Sequence, residues 1–450
     1  MYMENRLTTG SVFKTLLSFS LPFLLSYFLQ TLYGMADLFI IGQFNGVDST
    51  TAVSIGSQVM HMLTVMIVGL AMGSTVMIGR AIGAQRPEEA GAAIGNTVTL
   101  FMGLSVAVTA LLLVLVRPIV SAMSTPAEAG AGTAAYLTIC FLGIPFITAY
   151  NIISSIFRGL GDSKSPMYFV AIACTANILL DLLFIGALGM GPAGAALGTT
   201  LSQSVSVLLS IRIILKRKSG LKLERSHFQP QRRVMSGLLK IGLPVAVQDG
   251  LIQIAFIVIT VIANRRGLND AAAVGIVEKI IGILFLVPSS MLSSVSALSA
   301  QNIGAGRENR AKQTLGYAAL LAIGVGAVCV LAMQLRAELF VGLFTEEAEV
   351  IRLGGQYMRG YVWDCILAGI HFCFSGYFCA YGLSWVSFAH NLTAILCARI
   401  PLAYLASLRF PDTLFPMGLA TTTGSGVSVL ICIAVFFWLE HRKKRGQALG

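Results

Sequence analysis

Twelve long apolar runs, separated by short polar or glycine- and proline-containing breaks, make up most of the chain. A helix needs about 20 predominantly apolar residues to cross the hydrocarbon core of a bilayer. Each run reaches that length. Reading them between charge and turn signals predicts helices at roughly 15–41, 52–79, 91–116, 133–157, 167–188, 192–215, 237–263, 271–300, 312–335, 354–380, 385–408 and 417–440. The first run extends from about Leu16 to Phe44 and carries Asp37, so it is too long and too acidic for the apolar region of a cleavable signal. The expected fold is all-α and membrane-integral, with twelve transmembrane helices.

Composition sharpens this picture. The chain of 450 residues is 56% hydrophobic and 11% charged, with mean hydropathy +0.80. A soluble domain carries roughly 25% charged residues, so a soluble enzyme and a nucleic-acid-binding protein are both poor readings. The net charge of +11 follows from where the basic residues sit. Most of the 31 Lys and Arg fall at the two termini and in the even-numbered loops, above all between Arg212 and Lys240. Basic residues mark cytoplasmic loops, which predicts a multi-pass protein of the inner (plasma) membrane with both termini and the 216–236 loop in the cytoplasm. Arg265 and Arg266 break the rule locally. The eight cysteines all lie inside apolar runs without a CxxC pair, so neither a disulfide nor a metal site is expected.

The chain also repeats itself. Ile82-Gly83-Ala84, followed by Arg86 and Ala90, returns as Ile303-Gly304-Ala305, followed by Arg307 and Ala311, a step of 221 residues. The same step carries Tyr136 to Tyr357, Phe157 to Phe378 and Gly161 to Gly382, while Leu21-Pro22 returns one residue later as Leu243-Pro244. Two six-helix lobes are predicted, 1–215 and 237–450, joined by a cytoplasmic linker at 216–236. Six spans return the chain to the side it started from, so the lobes should be related by a pseudo-two-fold along the membrane normal, a parallel repeat found in transporters.

The repeated motifs resemble those of the multidrug and toxic compound extrusion (MATE) transporters. Gln301-Asn302-Ile303-Gly304-Ala305-Gly306 with Arg307 and Arg310 is similar to the loop after their eighth span. Arg158-Gly159-Leu160-Gly161-Asp162-Ser163 resembles the loop after the fourth, and Met35-Ala36-Asp37 with Gly42 resembles the end of the first. Asn177 and Asp181 in span five resemble the DinF-like branch, whereas the span-seven glutamate of the sodium-linked NorM branch is replaced here by Gln248, Asp249 and Gln253. The resemblance implies a secondary multidrug efflux antiporter, which exports lipophilic organic cations by alternating access in exchange for H+. It implies no cofactor beyond the coupling ion, with Na+ as the alternative, and a monomer acting within the lipid bilayer.

Ionisable groups in hydrocarbon cost about 2.5–3.5 kcal/mol each on insertion scales, so each needs a reason. Asp37 lies late in span one, and Asn177 and Asp181 share a helix face at i and i+4. The internal repeat acts as a control: the same step places Asn177 on Ala398, Asp181 on Leu402 and Asp37 on Val258. Packing alone does not demand carboxylates at these positions. They are the candidate proton-coupling set, against the alternative that the aspartates cap or pin helices. Pro22, fifteen residues before Asp37, frees a carbonyl and permits a bend, or else only shapes packing. In the second half, Asp249, Gln253, Asp364 and His371 are candidate substrate or cation contacts. Asp364 and Arg399, at comparable depth on antiparallel spans, form a candidate structural ion pair. Glu278–Lys279 reads as a structural pair near a helix start, and His227 and His441 fall in loops without any pattern around them.

Energetics favour more than one carboxylate. Exporting a monocation against an inside-negative potential costs about 2.3 kcal/mol per 100 mV, which one entering proton returns; a second proton would bring the potential into play. The nearest rival is a lipid-linked precursor or polysaccharide flippase, whose anionic substrate calls for several buried arginines where this chain has chiefly Arg399. A membrane-embedded enzyme is disfavoured because no HExxH, GxSxG or nucleotide-binding Gly-Lys-Ser/Thr pattern occurs.

Overall fold

The computed structural model describes residues 7–216 and 223–445, so part of the expected linker (217–222) and the extreme ends lie outside the described residues. Sixteen α-helices follow one another: α1 (Val12–Phe44), α2 (Val47–Gly83), α3 (Pro87–Ala122), α4 (Ala127–Leu142), α5 (Ile144–Leu160), α6 (Lys164–Asp181), α7 (Gly191–Lys216), α8 (Arg232–Asn264), α9 (Leu268–Leu284), α10 (Leu286–Gly304), α11 (Glu308–Val341), α12 (Ala348–Tyr361), α13 (Asp364–Ala380), α14 (Ser384–Ala394), α15 (Ile400–Arg409) and α16 (Phe415–Lys444). No strand occurs among the described residues. Eleven stretches are long and apolar enough to cross a membrane, and the bent pair α4–α5 makes twelve. They coincide with the twelve runs read from the sequence. Large apolar side chains stay exposed along whole helix faces, such as Val328, Leu331 and Leu335 on α11. Patches of this kind mark surfaces that meet something other than water, here lipid.

Several spans are broken, and most breaks have a local cause. Proline lacks an N–H, and its ring crowds the carbonyl one turn earlier. The 50° bend at Gly143 precedes Pro145, and the break at Phe285 precedes Pro288. The third break, at Val362–Trp363, has no proline. There the loosened carbonyls are satisfied from outside: Thr422 Oγ1 donates to Gly360 O at 2.9 Å and Tyr361 O at 3.3 Å, and Gln334 Nε2 donates to Arg359 O at 2.8 Å. Two further spans widen into a π turn, at Leu182–Ala187 and Ile395–Arg399. Pro22 and Pro244, by contrast, sit inside uninterrupted helices α1 and α8.

The chain forms two compact units. The first comprises residues 1–11, 17–246 and 300–307. In it α2 packs on α4 and α5, and α6 packs on α7, around Ile41, Val53, Leu137, Phe141 and Ile144. The repeated motifs meet here through their glycines. A Cβ on Gly83 would lie 1.9 Å from Gln301 O, and one on Gly304 would lie 2.1 Å from Arg80 O. Only backbone fits in either place, which is why the same Ile-Gly-Ala occurs twice. Gln301 Nε2 then donates to Gly159 O at 2.8 Å and Asn302 Nδ2 to Leu7 O at 3.3 Å, so the two motifs that carry the resemblance brace one corner.

The second unit comprises residues 12–16, 247–299 and 308–450. Helix α12 packs against α9 and α16, and α13 against α11, around Ile259, Val277, Tyr357, Tyr361 and Met417. Arg266, the exception to the charge rule, is consumed structurally. Its guanidinium binds Asp270 Oδ2 at 2.7 Å and donates to the carbonyls of Ser407, Phe410, Pro411 and Thr413. A lysine has too compact a head to reach all of them. Arg266→Ala should destabilise the protein by about 2–4 kcal/mol, and Arg266→Lys should recover less than half of that. The midpoint of thermal unfolding in detergent checks both variants.

Candidate functional site

In the first unit Asp37 of α1 meets the face of α6 that carries Asn177 and Asp181. The Asp37 carboxyl interacts with Asp181 and with Asn177, and all three side chains are buried. Helix α7 closes the site. Thr199 Oγ1 donates to Asp37 Oδ2 at 3.3 Å. The neighbouring Gly198 presents bare backbone to the second carboxyl, since a Cβ there would lie 2.1 Å from Asp181 Oδ1. Tyr33, one turn before Asp37, and Tyr136 on α4 stand close enough to feel the Asp37 charge, and Gln203 lies beside Tyr33.

The polar atoms of this site are mostly unmet. Asp37 Oδ1, both Asp181 carboxyl oxygens and both side-chain polar atoms of Asn177 have no hydrogen-bond partner. No lysine or arginine pairs with either carboxyl among the described residues. Leaving a buried polar atom unpaired is costly, and three such carboxyl oxygens lie together here. The π turn Leu182–Ala187 begins directly after Asp181. Such turns are frequent at functional positions because they re-aim a side chain and loosen the local backbone.

The second unit is organised differently. Arg399, at the end of the π turn Ile395–Arg399, pairs its Nη2 with Asp364 Oδ2 at 3.2 Å, both side chains being buried. Asp364 opens α13 immediately after the Val362–Trp363 break, where the positive end of the helix dipole also favours its charge. The guanidinium lies 5.3 Å from the centre of the Phe256 ring. Glu278 accepts from Thr260 Oγ1 at 3.2 Å and feels the charge of Arg399, whereas Lys279 is exposed. The sequence reading of a Glu278–Lys279 pair is therefore corrected, because adjacent residues on a helix point in different directions. His371 is buried against Phe372 and His390, with ring centres 5.1 and 5.6 Å away. His390, which no sequence pattern singles out, sits between Ser375 Oγ at 3.0 Å and Ser428 Oγ at 3.2 Å. Asp249 and Gln253 are half-buried on α8, and no hydrogen bond or ion pair joins them to Asp364 or His371 among the described residues. The span-ten and span-eleven aromatics divide: Tyr361, Tyr377 and Phe378 are core, while Trp363 and Trp385 are exposed.

A sequence model of the MatE family matches this chain twice, over residues 22–183 and 244–405, opening on Pro22 and again on Pro244. The chain belongs to the MATE family. Among its relatives is the probable multidrug resistance protein YoeA of Bacillus subtilis (strain 168), 28% identical over 96% of this chain and 95% of that protein. The multidrug export protein MepA of Staphylococcus aureus (strain MSSA476) is 25% identical over 81% of each chain. The same fold occurs in a solved outward-facing multidrug resistance MATE transporter, with TM-score 0.90 and 24% identity over 98% of both chains. As a MATE protein, this chain is a multi-span membrane transporter of the multidrug efflux class.

Thr199, Gly198, Tyr33 and Gln203 surround the carboxyl pair without having been singled out beforehand. The i, i+4 spacing of Thr199 and Gln203 on a span otherwise rich in small residues is the one sequence signal that could have found those two. Gly198 gives the sharper test because its substitution changes no charge. Gly198→Ala should displace the Asp181 carboxyl and lower gradient-driven efflux of a fluorescent organic cation about tenfold or more, with protein abundance unchanged.

Proposed function

We propose that this protein exports lipophilic organic cations in exchange for H+, with Asp37 and Asp181 carrying the exchanged proton, Asn177 completing the proton-coupling set beside them and Thr199 holding Asp37 by its hydrogen bond. The observation behind this reading is the buried carboxyl pair without a counter-cation. Two carboxylates that share one site cannot both hold their charge without a positive partner. A proton satisfies the pair from one side of the membrane and leaves when the surroundings rearrange. In this reading the halves 1–215 and 237–450 are the lobes of an alternating-access monomer in the plasma membrane, joined by 216–236, and the basic loops face the cytoplasm. The named relatives, a probable multidrug resistance protein and a multidrug export protein, support the substrate class. Lipophilic cations would stack on aromatic rings, and methionine, present 17 times, suits a wall that repacks around different compounds.

One observation favours a second reading. The same groups supply carboxylate, amide and hydroxyl oxygens, the donor type that hard cations take, so sodium is the alternative coupling ion. Proteoliposomes loaded with a pH dye separate the two. Under an imposed pH gradient and without sodium, wild type should move a fluorescent cation with opposite proton flux. Asp37→Asn and Asp181→Asn should each abolish that flux while leaving substrate binding within about threefold. Transport that needs sodium, or that survives both substitutions, would contradict proton coupling at this site.

A further inference from the structure

The segment after the undescribed part of the linker is docked, not free. Residues 225–228 form a single tight turn whose backbone lies on α3. Asn96, fully buried, grips it at two points: Nδ2 donates to His227 O at 3.1 Å, and Oδ1 accepts from Gln231 N at 2.8 Å. Thr99 Oγ1 adds a bond to Phe228 O at 2.8 Å. Gly91 and Gly95, on the same face of α3, make the groove. A Cβ at Gly91 would lie 2.8 Å from the His227 ring, and one at Gly95 would lie 2.2 Å from His227 O. Gln231 O in turn caps the start of α8 by accepting from Met235 N at 2.9 Å. The dock therefore sets where α8 begins, and α8 is the helix that runs out of the first compact unit at Ala246.

His227 is the ionisable pin of this dock, and its partners define its proton. Nδ1 accepts from Glu224 N at 3.1 Å, so the ring hydrogen resides on Nε2, which faces Glu88 Oε2 at 3.0 Å. A neutral imidazole satisfies both contacts. An imidazolium would add charge to the Nε2 contact with Glu88, an exposed pair that solvent screens, but it carries a second N–H on Nδ1, which would point at the Glu224 N–H and break the cap of the turn. Among the described residues, the titratable groups nearest it are Glu88 on α3 and Glu224 and Arg225 on its own turn. Nearby in sequence, Arg86 and Glu89 are paired with each other at 3.0 Å. The ring is 7% exposed and Glu88 is 85% exposed, so solvent protons reach the pair from one side.

We propose that His227 is a pH-sensitive latch: neutral, it holds the 224–231 segment on α3 and fixes the start of α8, and protonation releases it. With the basic loops in the cytoplasm, the orientation adopted above, the latch reads cytoplasmic pH. It weakens as the proton influx of an antiport cycle acidifies that side.

Hydrogen–deuterium exchange on the full chain in lipid nanodiscs tests the latch without reference to transport. After correction for intrinsic rates, protection of the 223–231 peptide in wild type should fall about threefold to tenfold between pH 7.5 and 5.5, the worth of one hydrogen bond. His227→Gln, which keeps a donor toward Glu88 and cannot titrate, should show the same protection at both pH values. Asn96→Ala should show low protection at both, which ties the readout to docking. Equal wild-type protection at both pH values, or a pH-dependent loss that persists in His227→Gln, would overturn the proposal. A loss abolished by Glu88→Gln but not by His227→Gln would overturn it too, by making Glu88 the sensor.

Discussion

Two carboxyl groups, Asp37 and Asp181, are buried against one another in the first unit, and no lysine or arginine among the described residues pairs with them. In the proposed exchange, this burial is the constraint from which the rest of the chemistry follows. A structural ion pair would remain satisfied in every conformation and could couple to nothing. A carboxyl pair lacking its positive charge is stable only while a proton or a cation is present, so its occupancy is tied to whichever side can supply one. The surroundings keep that requirement intact. Gly198 leaves room for the Asp181 carboxyl, Thr199 orients Asp37, and the wide turn after Asp181 gives α6 a place to yield.

The second unit shows the opposite solution with similar ingredients. Asp364 is also fully buried, but Arg399 meets it at 3.2 Å and the start of α13 supports its charge. Replacing one member of such a pair leaves the other buried alone, typically a loss of 3–5 kcal/mol. The pair lies at the π turn of the eleventh span, where its geometry suits a brace. The internal repeat thus preserves architecture while the chemistry diverges. The Ile-Gly-Ala motifs interlock because backbone must approach backbone, whereas the carboxylates of one half have Val258 and Leu402 at the corresponding positions of the other.

The fold was legible in the sequence to the extent that the bilayer dictated it. Twelve continuous apolar runs of sufficient length had to be helices, since the other backbone solution in lipid, a closed barrel, needs short strands of alternating polarity. Breaks at Pro145 and Pro288 are legible in principle, because a missing N–H is written in the sequence. The break at Val362–Trp363 is not, because it persists through hydroxyl and amide donors from α16 and α11 that no local pattern announces. At the site, Asn177 and Asp181 declared themselves by spacing, and Asp37 by its depth in an apolar run. Thr199 and Gly198 became meaningful only once α7 was placed against α6. His227 was the least legible of all: its role rests on Asn96 and two glycines more than 130 residues earlier in the chain.

The most direct test of the shared-proton claim is the number of protons released when substrate binds. Purified protein in weakly buffered detergent, titrated with a fluorescent organic cation beside a pH dye, reports that number without any gradient. Reciprocal linkage requires that a substrate whose binding is coupled against the protonated carboxyl pair drives its proton off. Wild type should release close to one proton per substrate bound, and Asp181→Asn should release none while still binding. Substrate binding without proton release in wild type, or equal release from both proteins, would contradict the assignment of coupling to Asp37 and Asp181.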